Sequence, residues 1–427
     1  MNIELINTGS ELMLGRVLNT HQQWLCRQLA DLGLVVTRQV AVDDSASAIC
    51  QAVQESLARA ALVLTTGGLG PTSDDRTRDA IAALLGRKLR LDESVLHQIE
   101  SYFVARKRVM TESTKVQALI PDGATVLPNA FGTAPGLVMG TGHANHCALP
   151  QLLVMLPGPP RELRPMFTNQ VAPLLLKTYP QQTTFVCRTL RTTGLGESLV
   201  EERIAGPLQH LVSVGLELGY CARIGEVDVR LAARGTGAEG IVAEAEQITR
   251  RLLGEFILGT EEDSLEAVVV RTLTQRQQKL ALAESCTGGM IAHRITNVPG
   301  ASAVLWGGVV SYANEAKERW LGVQPATLAA HGAVSEPTAR EMAEGVRQRS
   351  SADYALAVTG IAGPAGGSDA KPVGTVFIAL ATPHATTVQR FLNPFDRETF
   401  KWVASQQALD LLRKALGETA ESGRTYR

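Results

Sequence analysis

In the stretch Ala283-Glu284-Ser285-Cys286-Thr287-Gly288-Gly289, two hydroxyls, a thiol and two glycines separate the apolar run Leu280-Ala281-Leu282 from the amphipathic segment Met290–Ile295. That order predicts strand, tight turn, helix. Helix N–H groups point outward at such a turn and favour anions and polarised oxygens, so a nucleophile or a phosphate suits it. A tight turn with a hydroxyl N-cap accounts for the same residues equally well. Partners elsewhere break the tie. Ser311-Tyr312-Ala313-Asn314-Glu315-Ala316-Lys317 follows another predicted strand, Gly307–Val310. A serine attacks only when a base takes its proton, and a lysine is a base only when burial or nearby positive charge lowers its pKa. Ser285 with Lys317, assisted by the Tyr312 hydroxyl, is a workable acyl-transfer set. Taken singly, Lys317 reads as a solvated helix residue and Tyr312 as a half-buried strand aromatic. Cys286 is the rival nucleophile; with no Cys-His pattern beside it, it reads as packing under the turn.

A third strand end carries Thr359-Gly360-Ile361-Ala362-Gly363-Pro364, whose backbone N–H groups suit an oxyanion or a phosphate. Asp396-Arg397, before the last helix, offers a guanidinium for a phosphate. Far upstream, Thr65-Thr66-Gly67-Gly68-Leu69-Gly70-Pro71-Thr72-Ser73-Asp74-Asp75 ends a buried strand, the place where open α/β sheets bind ligands. Its glycines let N–H groups close on phosphate oxygens, and Asp74 and Asp75 are carboxylates of the kind that hold a divalent metal. A glycine turn with an aspartate cap is the plain alternative, although a cap needs only one aspartate.

These groups need elements to hold them. Strand Ile3–Asn7, helix Leu18–Leu32, strand Val35–Ala41, helix Ala46–Ala60 and strand Leu62–Thr66 follow βαβ logic; Leu152–Leu156 is a further buried strand, followed by a helix from Arg161 to about Thr178. From Thr183 to Leu258 the pattern changes to strands Thr184–Thr192, Val212–Gly219 and Glu226–Ala233 with helices Glu197–Ala205 and Ala238–Leu253. A third segment holds strands near Lys279–Ala283, Gly308–Tyr312, Tyr354–Thr359 and Val373–Leu380. Glu418–Arg427 is polar and expected to fray. The expected class is α/β in three units: 1–180, 181–259 (a small α+β module) and 260–420.

With 427 residues, 45% hydrophobic and 19% charged, the chain is a multi-domain globular protein. A net charge of −1 supplies no field for nucleic acid or an anionic membrane, so neither is an expected partner. The six cysteines are scattered without a C-x-x-C pair and read as reduced core residues; with no leader or span-length apolar run, the expected location is cytoplasmic.

The glycine loop 65–75, with Asn7–Leu12, Gly15, Asn19-Thr20, Gly132–Gly136 and Leu156–Glu162, resembles the MoaB/MogA-type molybdopterin-binding fold found in the N-terminal half of the CinA (competence/damage-inducible) family. Residues 283–289, 308–317, 331–337, 359–363 and 371–375 resemble the C-terminal domain of that family, and the middle segment resembles its KH-type module. The resemblance implies a C-terminal amidase that converts nicotinamide mononucleotide to nicotinate mononucleotide and ammonia without a cofactor. Ser285, Tyr312 and Lys317 would be catalytic. Glu284, Thr287, Gly288, Gly289, Asn314, Thr359, Gly360, Ile361, Ala362, Gly363 and Arg397 would line the substrate. In the N-terminal domain it implies ADP-ribose pyrophosphatase activity: Gly67, Gly68, Gly70 and Thr72 on the diphosphate, Asp74 and Asp75 on Mg, Co or Mn, and Glu11 and Glu162 as further contacts. A homodimer is implied. The alternatives are an N-terminal domain that only binds a nucleotide or pterin, and a non-enzymatic partner in competence or recombination. Three departures stand out: His21 where asparagine is usual, the insertion Thr141–Cys147, and the stretch Asn393-Pro394-Phe395-Asp396-Arg397, where a glycine usually precedes the Asp/Asn-Arg pair. His143, His146 and Cys147 in the insertion lack a fourth ligand and read as a solvated loop. The Gly194-Leu195-Gly196-Glu197 loop lacks the G-x-x-G pattern and basic flank that clamp a nucleic-acid strand, so the module reads as a spacer with a role in dimer contacts.

Overall fold

A computed structural model describes residues 1–143, 149–180, 184–261 and 263–421, of which His143 and 418–421 are described by backbone alone. The expected solvated loop at His146 and Cys147, and the side chain of His143, lie outside the described residues. Contacts divide the chain into two units, 1–186 and 187–427.

The first unit is built on a six-stranded sheet. Its strands are β1 (Ile3–Thr8), β2 (Arg38–Val42), β3 (Leu62–Thr66), β6 (Thr125–Leu127), β7 (Gly136–His143) and β8 (Pro150–Leu156), in the order β2-β1-β3-β8-β7-β6; β4 (Leu89–Leu91) and β5 (Leu119–Pro121) pair separately. The four strands from β2 to β8 are parallel and the last two antiparallel. Every residue of β1 and β3 is buried, as parallel strands covered on both faces require. Helices Thr77–Leu84 and Glu93–Ala105, absent from the sequence reading, follow the glycine loop.

The second unit holds two sheets. The middle module is a four-stranded sheet, β10-β11-β9-β12, made of β9 (Phe185–Thr193), β10 (Glu217–Arg223), β11 (Glu226–Arg234) and β12 (Ile257–Thr260). The expected strand Val212–Gly219 is corrected here. The helix begun at Glu197 runs on to Val212, through Pro207, because Val200, Ile204, Leu208 and Leu211 keep burying one face at helical spacing. The strand starts at Glu217.

The C-terminal sheet has the order β14-β13-β15-β16-β17, with β13 (Leu280–Glu284), β14 (Leu305–Val310), β15 (Tyr354–Gly360), β16 (Thr375–Ala381) and β17 (Thr386–Leu392). β13 lies parallel between β14 and β15, and β16 and β17 return antiparallel. Side chains alternate across β13. Leu280 and Leu282 join the core formed with helices Leu265–Arg276 and Arg397–Glu421, whereas Ala281 and Ala283 face helix Glu336–Ser350. The three parallel strands therefore end together, and their loops share one edge. The cysteine expectation is also corrected: Cys286 is buried, Cys26 and Cys50 only partly, and Cys187 and Cys221 are exposed.

Candidate functional site

Ser285 is the first residue beyond β13. Its N–H donates to Val358 O (3.0 Å), and its carbonyl accepts from Gly288 N (3.1 Å). Gly288 and Gly289 take φ of 62° and 94°, left-handed values that favour glycine, and so turn the chain into helix Met290–Thr296. Glu284 sits beneath this turn, buried. Its Oε2 accepts from Gly289 N (3.0 Å) and Ile291 N (3.1 Å), and its Oε1 from Ala292 N (2.9 Å). That corrects its assignment to the substrate: both carboxylate oxygens are engaged on the N–H groups of the turn and helix that follow Ser285.

Lys317 arrives from helix-like turns after β14 and is 1% exposed. Its Nζ lies 3.1 Å from Ser285 Oγ, 2.7 Å from Ser311 O and 3.1 Å from Tyr312 O. A neutral amine has two N–H donors and one lone pair. The two carbonyls accept only, so they take the two N–H groups, and the lone pair is left for the serine hydroxyl to donate into. Burial lowers the Lys317 pKa and favours that neutral form. A Cys286 thiolate would oppose this, but burial pushes the Cys286 thiol up to about 12, so it stays protonated.

Tyr312 is placed differently from expectation. Its side chain is 60% exposed and its hydroxyl accepts from Arg397 Nη2 (2.8 Å), so it is the backbone carbonyl of Tyr312, not its phenol, that meets Lys317. Arg397 Nη1 also donates to Gly363 O (2.9 Å). Arg397 is set by Asp396, whose Oδ1 accepts from Glu398 N (3.0 Å) and Thr399 N (3.1 Å) at the start of the last helix. The Thr399 hydroxyl first, and these backbone bonds with it, hold the Asp396 carboxyl below its usual pKa.

Thr359 is buried and its Oγ1 donates to Ala333 O (2.8 Å); Ile361 N–H is spent on Thr375 O (2.8 Å). The Thr359 hydroxyl proton and the Ile361 amide are therefore not free to donate to a ligand. A side chain at Gly360 would come within 2.8 Å of Thr375 O and 3.0 Å of the Phe400 ring, so the backbone there is tightly held. Ala362 is buried and Asn314 exposed. Thr287 Oγ1 and Ser311 Oγ are buried beside this centre without a partner. Sequence reasoning passed over Ser311, whose carbonyl is a lysine acceptor, and Lys401. The Lys401 ammonium is 3.8 Å from where a Cβ on Gly288 would stand, one helical turn beyond Arg397. The i, i+4 spacing of Arg397 and Lys401 was the available signal.

In the first unit, Gly67, Gly68 and Gly70 line a cavity of about 570 Å³ with Glu11, Asp74 and Glu162 among its walls. A side chain at Gly67 would meet Thr8 O at 2.8 Å. Thr72 is not on the cavity wall: its N–H and hydroxyl donate to Asp75 Oδ2, the first at 2.9 Å, so it holds that carboxylate. Burial raises the Glu162 pKa, and Asn129 Nδ2 donates to it (2.8 Å). His21 lines the same cavity with its pKa lowered by burial. Among the described residues no three His, Cys, Asp or Glu side chains converge as a metal cage. Asp74 and a Thr72-bound Asp75 do not by themselves fit a resident divalent ion, whose shell would need oxygens from elsewhere. No described helix is long and apolar enough to cross a membrane.

Three family profiles match: the CinA C-terminal domain over residues 262–416, a probable molybdopterin binding domain over 4–177, and the damage-inducible protein CinA KH domain over 187–259. A CinA-like protein of Akkermansia muciniphila is 47% identical, covering 96% of each chain. One from Kosmotoga olearia is 42% identical over 97% of this chain and 99% of its own. Among solved structures, the competence/damage inducible protein CihA of Agrobacterium tumefaciens is 41% identical over 36% of this chain and 93% of its own, with a TM-score of 0.35.

Proposed function

The chain belongs to the CinA family, and from that premise we propose that its C-terminal domain hydrolyses the carboxamide of nicotinamide mononucleotide, releasing ammonia and nicotinate mononucleotide. The carrying observation is the Ser285–Lys317 pair: a buried amine 3.1 Å from the serine hydroxyl, whose two other contacts are backbone acceptors, so that its neutral form keeps a lone pair for the serine.

Ser285 Oγ attacks the amide carbon while Lys317 Nζ takes the hydroxyl proton. The tetrahedral intermediate then expels the amide nitrogen, which leaves as ammonia after Lys317 returns that proton. Water, deprotonated by the same amine, attacks the ester; the acid departs and Ser285 regains its proton. Neighbouring residues in a strand send their N–H groups to opposite edges. With Ile361 N–H on β16, Gly360 N–H faces the β13 edge where Ser285 emerges, and it supplies an oxyanion donor. Arg397 and Lys401 supply positive charge for the substrate phosphate. Tyr312 acts by holding Arg397.

Ammonia release from nicotinamide mononucleotide tests this directly. Ser285→Ala should lower kcat by roughly 10³-fold or more, and Cys286→Ala should leave most activity. The reverse pattern would assign the chemistry to the cysteine. The glycine-lined cavity of the first unit favours a second reading, a diphosphate site for ADP-ribose. Formation of AMP and ribose phosphate with added Mg, Co or Mn supports pyrophosphatase activity; binding without cleavage leaves a nucleotide- or pterin-binding domain.

A further inference from the structure

Arg294, on the helix that follows the Ser285 turn, is 3% exposed and takes no part in the chemistry above. Its Nη1 donates to Ser405 Oγ (2.9 Å), and its Nη2 to Glu266 Oε2 (2.7 Å) and Gln406 Oε1 (2.6 Å); its guanidinium stacks 4.4 Å from the Trp402 ring centre. Gln406 is buried as well, and its Nε2 donates to Glu226 Oε1 (2.6 Å) on β11 of the middle module. Both Glu226 and Gln406 line a cleft of about 540 Å³ between that module and the C-terminal domain.

The polarity of this chain admits one arrangement. Arg294 can only donate and Glu226 can only accept, so the Gln406 amide is fixed with its oxygen toward the first and its nitrogen toward the second. The strut has two ends of consequence. Arg294 lies one turn from Met290, where the helix meets Gly288 and Gly289, and its helix is bound at the other end by Glu284. Gln406, Ser405 and Trp402 lie on the helix that begins with Arg397 and carries Lys401.

We propose that Arg294 and Gln406 are positioning residues, and that the middle module, through Glu226, holds the two helices that deliver the nucleophile turn and the phosphate-binding cations. This gives the module a mechanical role in the amidase site, and it rests on the amidase reading only for its kinetic consequence.

The test is a polarity swap in the full-length chain. Gln406→Glu keeps an acceptor for Arg294 but sets two carboxylates against each other at Glu226, while adding Glu226→Gln puts an amide donor back opposite the new carboxylate. For Gln406→Glu at about pH 8, kcat/KM for nicotinamide mononucleotide should fall roughly 2- to 30-fold, the range of measured couplings, with both kcat and KM affected because the strut holds the nucleophile turn and the phosphate-binding helix together. Amide hydrogen exchange across residues 286–296 should quicken by a similar factor. The double variant should return both readouts to within about twofold of the parent chain. Unchanged exchange in Gln406→Glu would overturn the proposal, as would a folded double variant that restores neither readout. If the parent chain releases no ammonia, the amidase reading fails, and exchange alone still decides whether the strut holds the turn.

Discussion

Lys317 carries a charge question that its neighbours answer. Burial disfavours its ammonium, and two carbonyls occupy the N–H groups of the amine. Its folded pKa lies below its unfolded one, so between those values the unfolded chain binds more protons and stability rises with pH. Two outcomes follow. The acid limb of kcat/KM for ammonia release should show a single ionisation and level off below the ordinary lysine pKa. In thermal melts, the parent chain should gain stability relative to Lys317→Met as pH rises through that window; a constant gap between the two would mean the lysine is not depressed. The lysine illustrates what the sequence can carry. That Ser285 needed a base was legible from the turn, and Lys317 was named from its strand end. The direction of the Tyr312 phenol is not legible, because a residue just past a strand end can present either its ring or its carbonyl inward, and the choice rests on the Arg397 bond.

The β13 turn works because three parallel strands end together and because Glu284 finishes the turn. A seven-residue helix such as Met290–Thr296 has little stability of its own. Three of the N–H groups at its start are satisfied by one buried carboxylate. Glu284→Ala should therefore cost about 1–3 kcal/mol for each buried donor left unpaired, offset where water enters. It should also lower kcat by roughly 10-fold or more through loss of the Ser285 position. Glu284→Gln keeps the shape but halves the acceptor capacity and should fall between. Melting temperature and ammonia release check both; full activity in Glu284→Ala would remove its positioning role. The strand ends themselves were readable because apolar runs broke into glycines and hydroxyls. The helix Glu197–Val212 was under-read at Gly206-Pro207, where local breakers yielded to the burial of Leu208 and Leu211. Arg294 was invisible for a related reason. An arginine on an amphipathic helix reads as solvated until Glu266 and Gln406 are brought to it from segments 28 and 112 residues away.

At the scale of the whole molecule, the glycine-loop cavity belongs to the unit 1–186 and the Ser285 site to the unit 187–427. Each is assembled from strand ends of its own sheet, and no side chain assigned to one belongs to the other unit. Sites built on separate cores should fail separately, since substitutions that share no partner act additively. Ser285→Ala should abolish ammonia release while any turnover or binding of ADP-ribose stays within about twofold of the parent. Asp75→Ala, which frees Thr72 and loosens the glycine loop, should weaken the ADP-ribose response by roughly 10-fold and spare ammonia release. Paired assays on the two full-length variants check this. Loss of both responses in either variant, with melting temperature unchanged, would require communication between the units that their separate sheets do not by themselves supply.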